Sequence, residues 1–229
     1  MRRSRIGAIV LCLISVVRVR AADAQSGPAT RPGRIEVSAG ALWVAHQALG
    51  STDANETTPG GSSLKIFTAA SDLASVAGFE GRVVVRLLRS LEAEVEASYG
   101  TPRLTVALSN DFENAPPVTA TEVVQQFTVG AGVVWYLPFR PWTSRLAPFV
   151  TAGGGQLRHM HEQRTLLEIG QYYQVGGGLK FLLFSRSRGF VNAIGARLDV
   201  RAVVRKKGVA FDDGGHASPA VGASAFVRF

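Results

Sequence analysis

Ser218 to Phe229 reads S-P-A-V-G-A-S-A-F-V-R-F, and its alternation decides the fold. Counting back from Phe229 by twos gives Val227, Ala225, Ala223 and Val221, an apolar row. The interleaved set is Arg228, Phe226, Ser224 and Gly222. Side chains of a strand alternate between its two faces, so a period of two with one apolar face is a strand lying against an apolar medium on one side. The same alternation recurs upstream in segments separated by turn-rich connections, and no internal run reaches the ~18 apolar residues that a membrane-crossing helix needs. Membrane crossing by strands is the reading that this pattern supports.

The amino-terminus reads differently. Arg2, Arg3 and Arg5 precede an apolar run, Ile6 to Val17, that is too short to span a bilayer as a helix. Ala22-Asp23-Ala24 is a small-x-small site before Gln25, which predicts a secretory signal peptide cleaved after Ala24. A lipid anchor on Cys12 is the alternative, disfavoured by the bulky Leu11 before it. Removing residues 1–24 takes away five Arg and one Asp, so the net charge falls from +8 to +4, with 20 basic and 16 acidic side chains left. No contiguous basic run remains that would suit nucleic acid. Cys12 is the one cysteine, so the mature chain has no disulfide and no thiol chemistry. Residues 25–33 read as a periplasmic lead-in, and 34–229 as one barrel domain of about 200 residues.

Eight strands are predicted from residue 34 onward. The first runs from Arg34 to Val44, and residues 46–77, rich in Thr, Ser, Gly and Asn, read as a loop in water. Gly78–Leu88 and Ser90–Leu108 form the second and third strands. A turn at Leu88-Arg89-Ser90 sets Val85 against Ala93, Val83 against Val95 and Phe79 against Tyr99. The other face then pairs Arg86 with Glu92 and Arg82 with Glu96, leaving Glu94 diagonal to both arginines. A slip of one residue would turn these five charges into lipid, so the register is fixed. After a polar loop, 109–121, come strands at Glu122–Leu137, Arg145–Arg158, Tyr172–Phe184, Phe190–Arg205 and Ser218–Phe229.

The connections sort into short ones after the second, fourth and sixth strands and long ones after the rest. This predicts both termini and the turns on the periplasmic side, with the loops outside. Trp43, Phe79, Tyr99, Phe127 and Tyr173 fall near the loop ends, and Trp135, Phe181, Phe190 and Phe229 near the turn ends, as two interfacial girdles require. The polar face is complementary in size: long Arg and Glu on some strands, Gly on others. It therefore reads as the lumen, holding Glu36, Glu80, Glu92, Glu94, Glu96 and Asp199 against Arg34, Arg82, Arg86, Lys180, Arg197, Arg201 and Arg228. Near-balance predicts a salt-bridged, plugged interior centred on Arg82, Arg86, Glu92, Glu94, Glu96, Arg197, Asp199 and Arg201. A soluble barrel with an apolar ligand-binding lumen is the alternative arrangement of the same alternation.

Three chemistries have candidate residues in the sequence. The paired carboxylates Glu92, Glu94 and Glu96 face arginines with no evident cleft, which favours packing over acid and base catalysis. His159 and His161, with Asp212, Asp213 and His216, make a weak divalent-metal set whose spacing matches no closed motif. His46, His159 and His161 with Ser51 and Ser109 keep a lipid hydrolase or acyltransferase possible. The glycine groups within 130–132, 153–155 and 176–178 sit inside strands, with no helix following to present its amino-terminus to phosphate. No catalytic residue and no cofactor is assigned.

On the alternating strands, the Ala22-Asp23-Ala24 site and the carboxy-terminal row, the mature chain resembles the small outer-membrane β-barrel families that include the OmpA membrane domain, OmpX and the opacity proteins. The resemblance implies an all-β, eight-stranded antiparallel up-and-down transmembrane barrel in the outer membrane. It also implies that Val221, Ala223, Ala225, Val227 and Phe229 form the insertion signal read by the barrel-assembly machinery. Partners are then outer-membrane lipid, that machinery and an extracellular ligand of the loops. With the sequence stopping at Phe229, the cell-wall-binding domain of full OmpA-type proteins is not expected. The leading expectation is a structural or surface-interaction role, and the alternatives are a lipid-modifying enzyme and a narrow channel or transporter.

Overall fold

The computed structural model describes residues 34–57, 60–113, 115–138, 145–160, 167–186, 189–207 and 215–229. The expected leader, its cleavage site and the lead-in 25–33 lie outside the described residues. Twelve strands follow one another: β1 (Ile35–Val44), β2 (Gln47–Thr57), β3 (Ser63–Leu73), β4 (Val76–Arg86), β5 (Leu91–Gly100), β6 (Arg103–Ser109), β7 (Val118–Val123), β8 (Gln125–Tyr136), β9 (Leu146–Met160), β10 (Leu167–Ser185), β11 (Ala193–Lys207) and β12 (Gly215–Arg228). Eight of them close an antiparallel barrel in the order β1-β12-β11-β10-β9-β8-β5-β4.

Closure is made by the first and last barrel strands. β1 pairs with β12 from Glu36 opposite Arg228 to Val44 opposite Ala220. The Phe229 carbonyl also accepts the Arg34 and Ile35 N–H groups at 2.8 and 3.4 Å. The β4–β5 hairpin has Arg82 opposite Glu96, Arg86 opposite Glu92, Val83 opposite Val95 and Phe79 opposite Tyr99. No sheet edge remains in the barrel, so every strand's backbone finds its partners within the wall, which lipid demands.

Alternation sorts the wall into two faces. Outward stand Val37, Val83, Val95, Val129, Val133, Val175, Leu198 and Val200, all exposed. Inward stand Arg82, Glu94, Arg197 and Asp199, all buried. An apolar band of this extent is unsustainable in water and is what a lipid-facing wall presents. The apolar-lumen alternative is thereby reversed: the charges are inside. At the loop end the Tyr99 and Phe127 rings meet at a tilt with centres 4.8 Å apart, and at the turn end Phe190 and Phe229 do so at 4.9 Å.

The long connections depart from expectation. Residues 46–77 are not one loop: they contain β2 and β3, paired from Gln47 opposite Leu73 to Thr57 opposite Ser63. The predicted strand 90–108 breaks at Thr101-Pro102 into β5 and β6, and the predicted strand 122–137 divides into β7 and β8. β2, β3, β6 and β7 form a separate four-stranded antiparallel sheet in that order. The breaks lie along one line. Pro102 has no N–H to continue a ladder, while its carbonyl accepts Val124 N–H at 3.0 Å, and the Arg103 carbonyl accepts Ala74 N–H at 2.9 Å. Four neighbouring barrel strands thus each continue across a bend into the outer sheet. One face of that sheet buries Leu49, Leu73 and Leu104 together with Val124, with Val106 packed against them.

Candidate functional site

Because successive side chains alternate, every second residue of β4, β5 and β11 enters a lumen only wide enough for side chains. There the charges bind one another across the barrel. Near the turn end, Lys180 Nζ donates to Glu36 at 2.5 Å and to Glu92 at 3.1 Å. Arg228 pairs with Glu36, and Tyr136 donates its hydroxyl to Glu92 at 2.6 Å. Midway, Arg197 donates to Glu94 at 2.8 Å, and Thr151 donates to the other oxygen of that carboxylate at 2.8 Å. Arg82 reaches Glu80 at 2.8 Å and Asp199 at 3.2 Å. Toward the loop end, Arg201 contacts Glu80 at 2.5 Å, Asp199 at 3.2 Å and Glu96 at 3.4 Å. Tyr172 and Gln174 donate to Glu96 at 2.8 and 2.6 Å.

All eight residues expected in the lumen cluster lie within these contacts, with Arg86 at the margin, half-buried and 3.8 Å from Glu92. Arg34 does not join them; it is exposed at the turn end. Two lumen features lie beyond the expected charges and the expected glycines: a set of aromatic side chains and Arg205. Tyr136, Phe149 and Phe226 fill the turn-end half as aromatic packing, with the Arg197 guanidinium 4.6 Å from the Phe149 ring centre. Glycine supplies the room for the charges. A Cβ on Gly222 would stand 2.8 Å from both Arg201 Nη2 and Glu80 Oε1, and one on Gly130 would collide with the Tyr172 hydroxyl. Arg205 is a further buried arginine, with its Nη1 donating to Gln47 Oε1 at 2.9 Å. Arg205 shares the parity of Arg197 and Arg201, so the period of two does point to it; Gln47 lies in what reads as loop.

Gln47 joins the outer sheet to the barrel mouth by side-chain hydrogen bonds. It accepts from Arg205 on β11 and donates to the His216 carbonyl on β12 at 2.5 Å. Beneath it lies a cavity of about 30 Å3, lined by Gln126, Thr128, Tyr172, Gln174, Arg201 and Arg205 among others. That is room for about two ordered waters.

The remaining candidates are dispersed. His159 is buried, with Nε2 3.3 Å from Gln126 Oε1; His161, Asp212 and Asp213 lie outside the described residues. Among the described residues no three His, Cys, Asp or Glu side chains gather as a metal set. His46 Nε2 sits 3.3 Å from Asp72 Oδ1 on the exposed outer rim. Ser51 stands on β2 opposite Ala70 and Ser109 on β6 opposite Thr68, strands that carry no histidine. Val221, Ala223 and Ala225 face outward from β12, with Val227 and Phe229 half-buried at its end.

No protein-family model matches the chain, and no curated protein matches it. Solved structures do. Neisserial surface protein A (NspA) aligns over 85% of this chain and 97% of its own, with 14% identity and a TM-score of 0.51. The outer membrane protein OprG from Pseudomonas aeruginosa aligns over 89% of this chain and 99% of its own, with 12% identity and a TM-score of 0.50. At such identities the likeness speaks for the fold, and it agrees with the closed eight-stranded wall, its apolar exterior and its charged interior. The chain has the fold of the small eight-stranded outer-membrane barrels.

Proposed function

We propose that this protein resides in the outer membrane of a Gram-negative cell as a surface-interaction protein whose acting part is the four-stranded outer sheet. The barrel is its anchor. The observation that carries this reading is the contrast along the axis: the lumen is filled by ion pairs and aromatics, while beyond the bend the chain builds an ordered sheet with β7 almost wholly exposed. A plugged lumen leaves little for conduction, and the scattered histidines and serines favour no catalytic arrangement. In this reading the turns and the end of β12 face the periplasm, the long connections face outward, and residues 1–24 are a leader removed after Ala24. Conversely, an extracellular partner would meet β7 and the connections that flank it.

The test uses the absence of cysteine from the mature sequence. Single variants Ala120→Cys on β7 and Ser90→Cys in the β4–β5 turn are treated with a membrane-impermeant maleimide on intact cells. Ala120→Cys should label at once, and Ser90→Cys only after the membrane is permeabilised. Labelling of Ser90→Cys in intact cells, or of neither site in outer-membrane fractions, would refute the placement. Replacing residues 48–72 and 103–123 by short Gly-Ser links should then abolish binding of the cells' extracellular partner without loss of the boiling-sensitive gel migration of the barrel.

A further inference from the structure

The two ends of the barrel differ in charge as sharply as in length of connection. At the turn end, residues 87–90, 137–145 and 186–192 join the barrel strands. They hold five arginines, Arg89, Arg140, Arg145, Arg186 and Arg188, and no Asp or Glu. At the loop end, the joining residues 45–75, 101–124, 161–166 and 208–214 hold nine acids against three Lys or Arg. Arg89, Arg145 and Arg186 are exposed. They stand beside Leu88, Phe184 and Phe190, exposed apolar side chains at the end of the lipid-facing band. The Arg186 guanidinium lies 5.4 Å from the centre of the Phe184 ring, which places this cation at the boundary between the apolar band and water.

We infer that the rim formed by Arg89, Arg145 and Arg186 binds the headgroups of anionic phospholipids, of the phosphatidylglycerol class, in the membrane leaflet that surrounds the turn end. The apolar band fixes the depth of the wall in the bilayer, so the guanidiniums meet the phosphate layer. A guanidinium grips a phosphodiester with two parallel hydrogen bonds, which an ammonium cannot match. A zwitterionic lipid brings its own cation to the same site and loses the gain, whereas an anionic lipid keeps it. The inference rests on the proposed placement only in calling that leaflet the periplasmic one.

The experiment places the refolded full-length mature chain in phosphatidylcholine vesicles carrying trace spin-labelled phosphatidylglycerol or phosphatidylcholine. It reads the relative association of each with the protein by electron paramagnetic resonance. Phosphatidylglycerol should be favoured about fivefold, the gain expected from one well-placed arginine near an anionic surface. The preference should fall to near parity in 1 M NaCl, where the screening length is about 3 Å. Combined Arg89→Gln, Arg145→Gln and Arg186→Gln should abolish it, and the corresponding Lys substitutions should keep part of it. Asp53→Asn with Asp72→Asn, at the other end, should leave it unchanged. Equal association of the two lipids with the native chain, or a preference that survives the three Gln substitutions, overturns the inference. Boiled and unboiled migration of the same samples reports the barrel separately: an intact barrel without lipid selectivity defeats the rim alone, and a sample with no boiling-sensitive form defeats the membrane-barrel reading beneath it.

Discussion

The Arg197 guanidinium donates to Glu94 Oε2 at 2.8 Å across the full width of the barrel, from β11 to β5, with both side chains sealed from solvent. The two strands are four apart in a ring of eight, so the bond ties opposite walls together. Lys180 to Glu36 and Arg201 to Glu80 tie other separated strands in the same way. Such links resist widening of the lumen as directly as the ladder hydrogen bonds resist separation of neighbours.

Breaking that link from one side should cost far more than removing it whole. Arg197→Met leaves Glu94 and Asp199 without one of their cations, and loss of one partner of a buried pair costs roughly 3 to 5 kcal/mol. Glu94→Gln leaves Arg197 with Asp199 at 3.5 Å as its remaining carboxylate. The double variant should be less destabilised than the sum of the two, by roughly 0.5 to 3 kcal/mol for side chains in direct contact. Urea unfolding in detergent micelles, with all four chains compared, measures this. Strict additivity would show that the pair is not energetically coupled.

Gly222 tests whether the empty space around the charges is functional packing. A side chain there meets Arg201, Glu80 and Asp199 at once, at 2.8 to 3.0 Å. Gly222→Val should destabilise the barrel by roughly 1 to 3 kcal/mol through overpacking. Gly81, whose added Cβ would meet only the Ser38 carbonyl oxygen, at 3.8 Å, is the control: Gly81→Ala should be nearly neutral in the same unfolding measurement.

Outside the membrane, Asp53 on β2 carries a pH dependence of definite sign. Lys65 donates to its carboxylate at 2.8 Å and Thr68 at 2.9 Å. These donors, Lys65 first, hold the carboxyl below its ordinary range. A lowered folded-state pKa means that the stabilising contribution is full above the unfolded value of about 3.9 and is lost as pH falls through the folded value. Both partners are exposed, so the readout is the carboxyl resonance of Asp53 followed by NMR through acid pH. Lys65→Met should raise its midpoint and Thr68→Val should raise it less. A Lys65→Met titration superimposable on that of the native chain would remove the assignment.

What could be read in the residues was whatever alternation and charge register dictate. Arg82, Arg86, Glu92 and Glu96 fix the β4–β5 pairing because any other register turns them toward lipid, and the structure has that register. The outer sheet was illegible for the opposite reason. β2 and β3 have water on their exposed faces, and Gly50 and Gly61 take positive φ within and beside them. Their Thr, Ser and Asn content therefore reads as loop, although Leu49, Ala69, Ser71 and Leu73 turn inward. Pro102 marks a break that alternation on both sides conceals. Arg205 was legible by parity but not by partner, since Gln47 is remote in sequence.

Phe229 separates two roles that the carboxy-terminal row would otherwise confound. Its ring rests 4.9 Å from that of Phe190, and its backbone closes the β1–β12 seam. Phe229→Ala keeps the backbone and removes the ring contact, a loss of roughly 0.5 to 1.5 kcal/mol beyond its area. Phe190→Ala removes the same contact from the other side and leaves the row Val221, Ala223, Ala225, Val227 and Phe229 intact. Purified and refolded in detergent, both variants should still fold, with Phe229→Ala the less stable because its ring is the more buried. In cells they should part: if the terminal ring is read during insertion, Phe229→Ala should reach the outer membrane in several-fold lower yield, while Phe190→Ala stays close to the native level. Equal yields from the two would make Phe229 a packing residue at the end of a strand and nothing more.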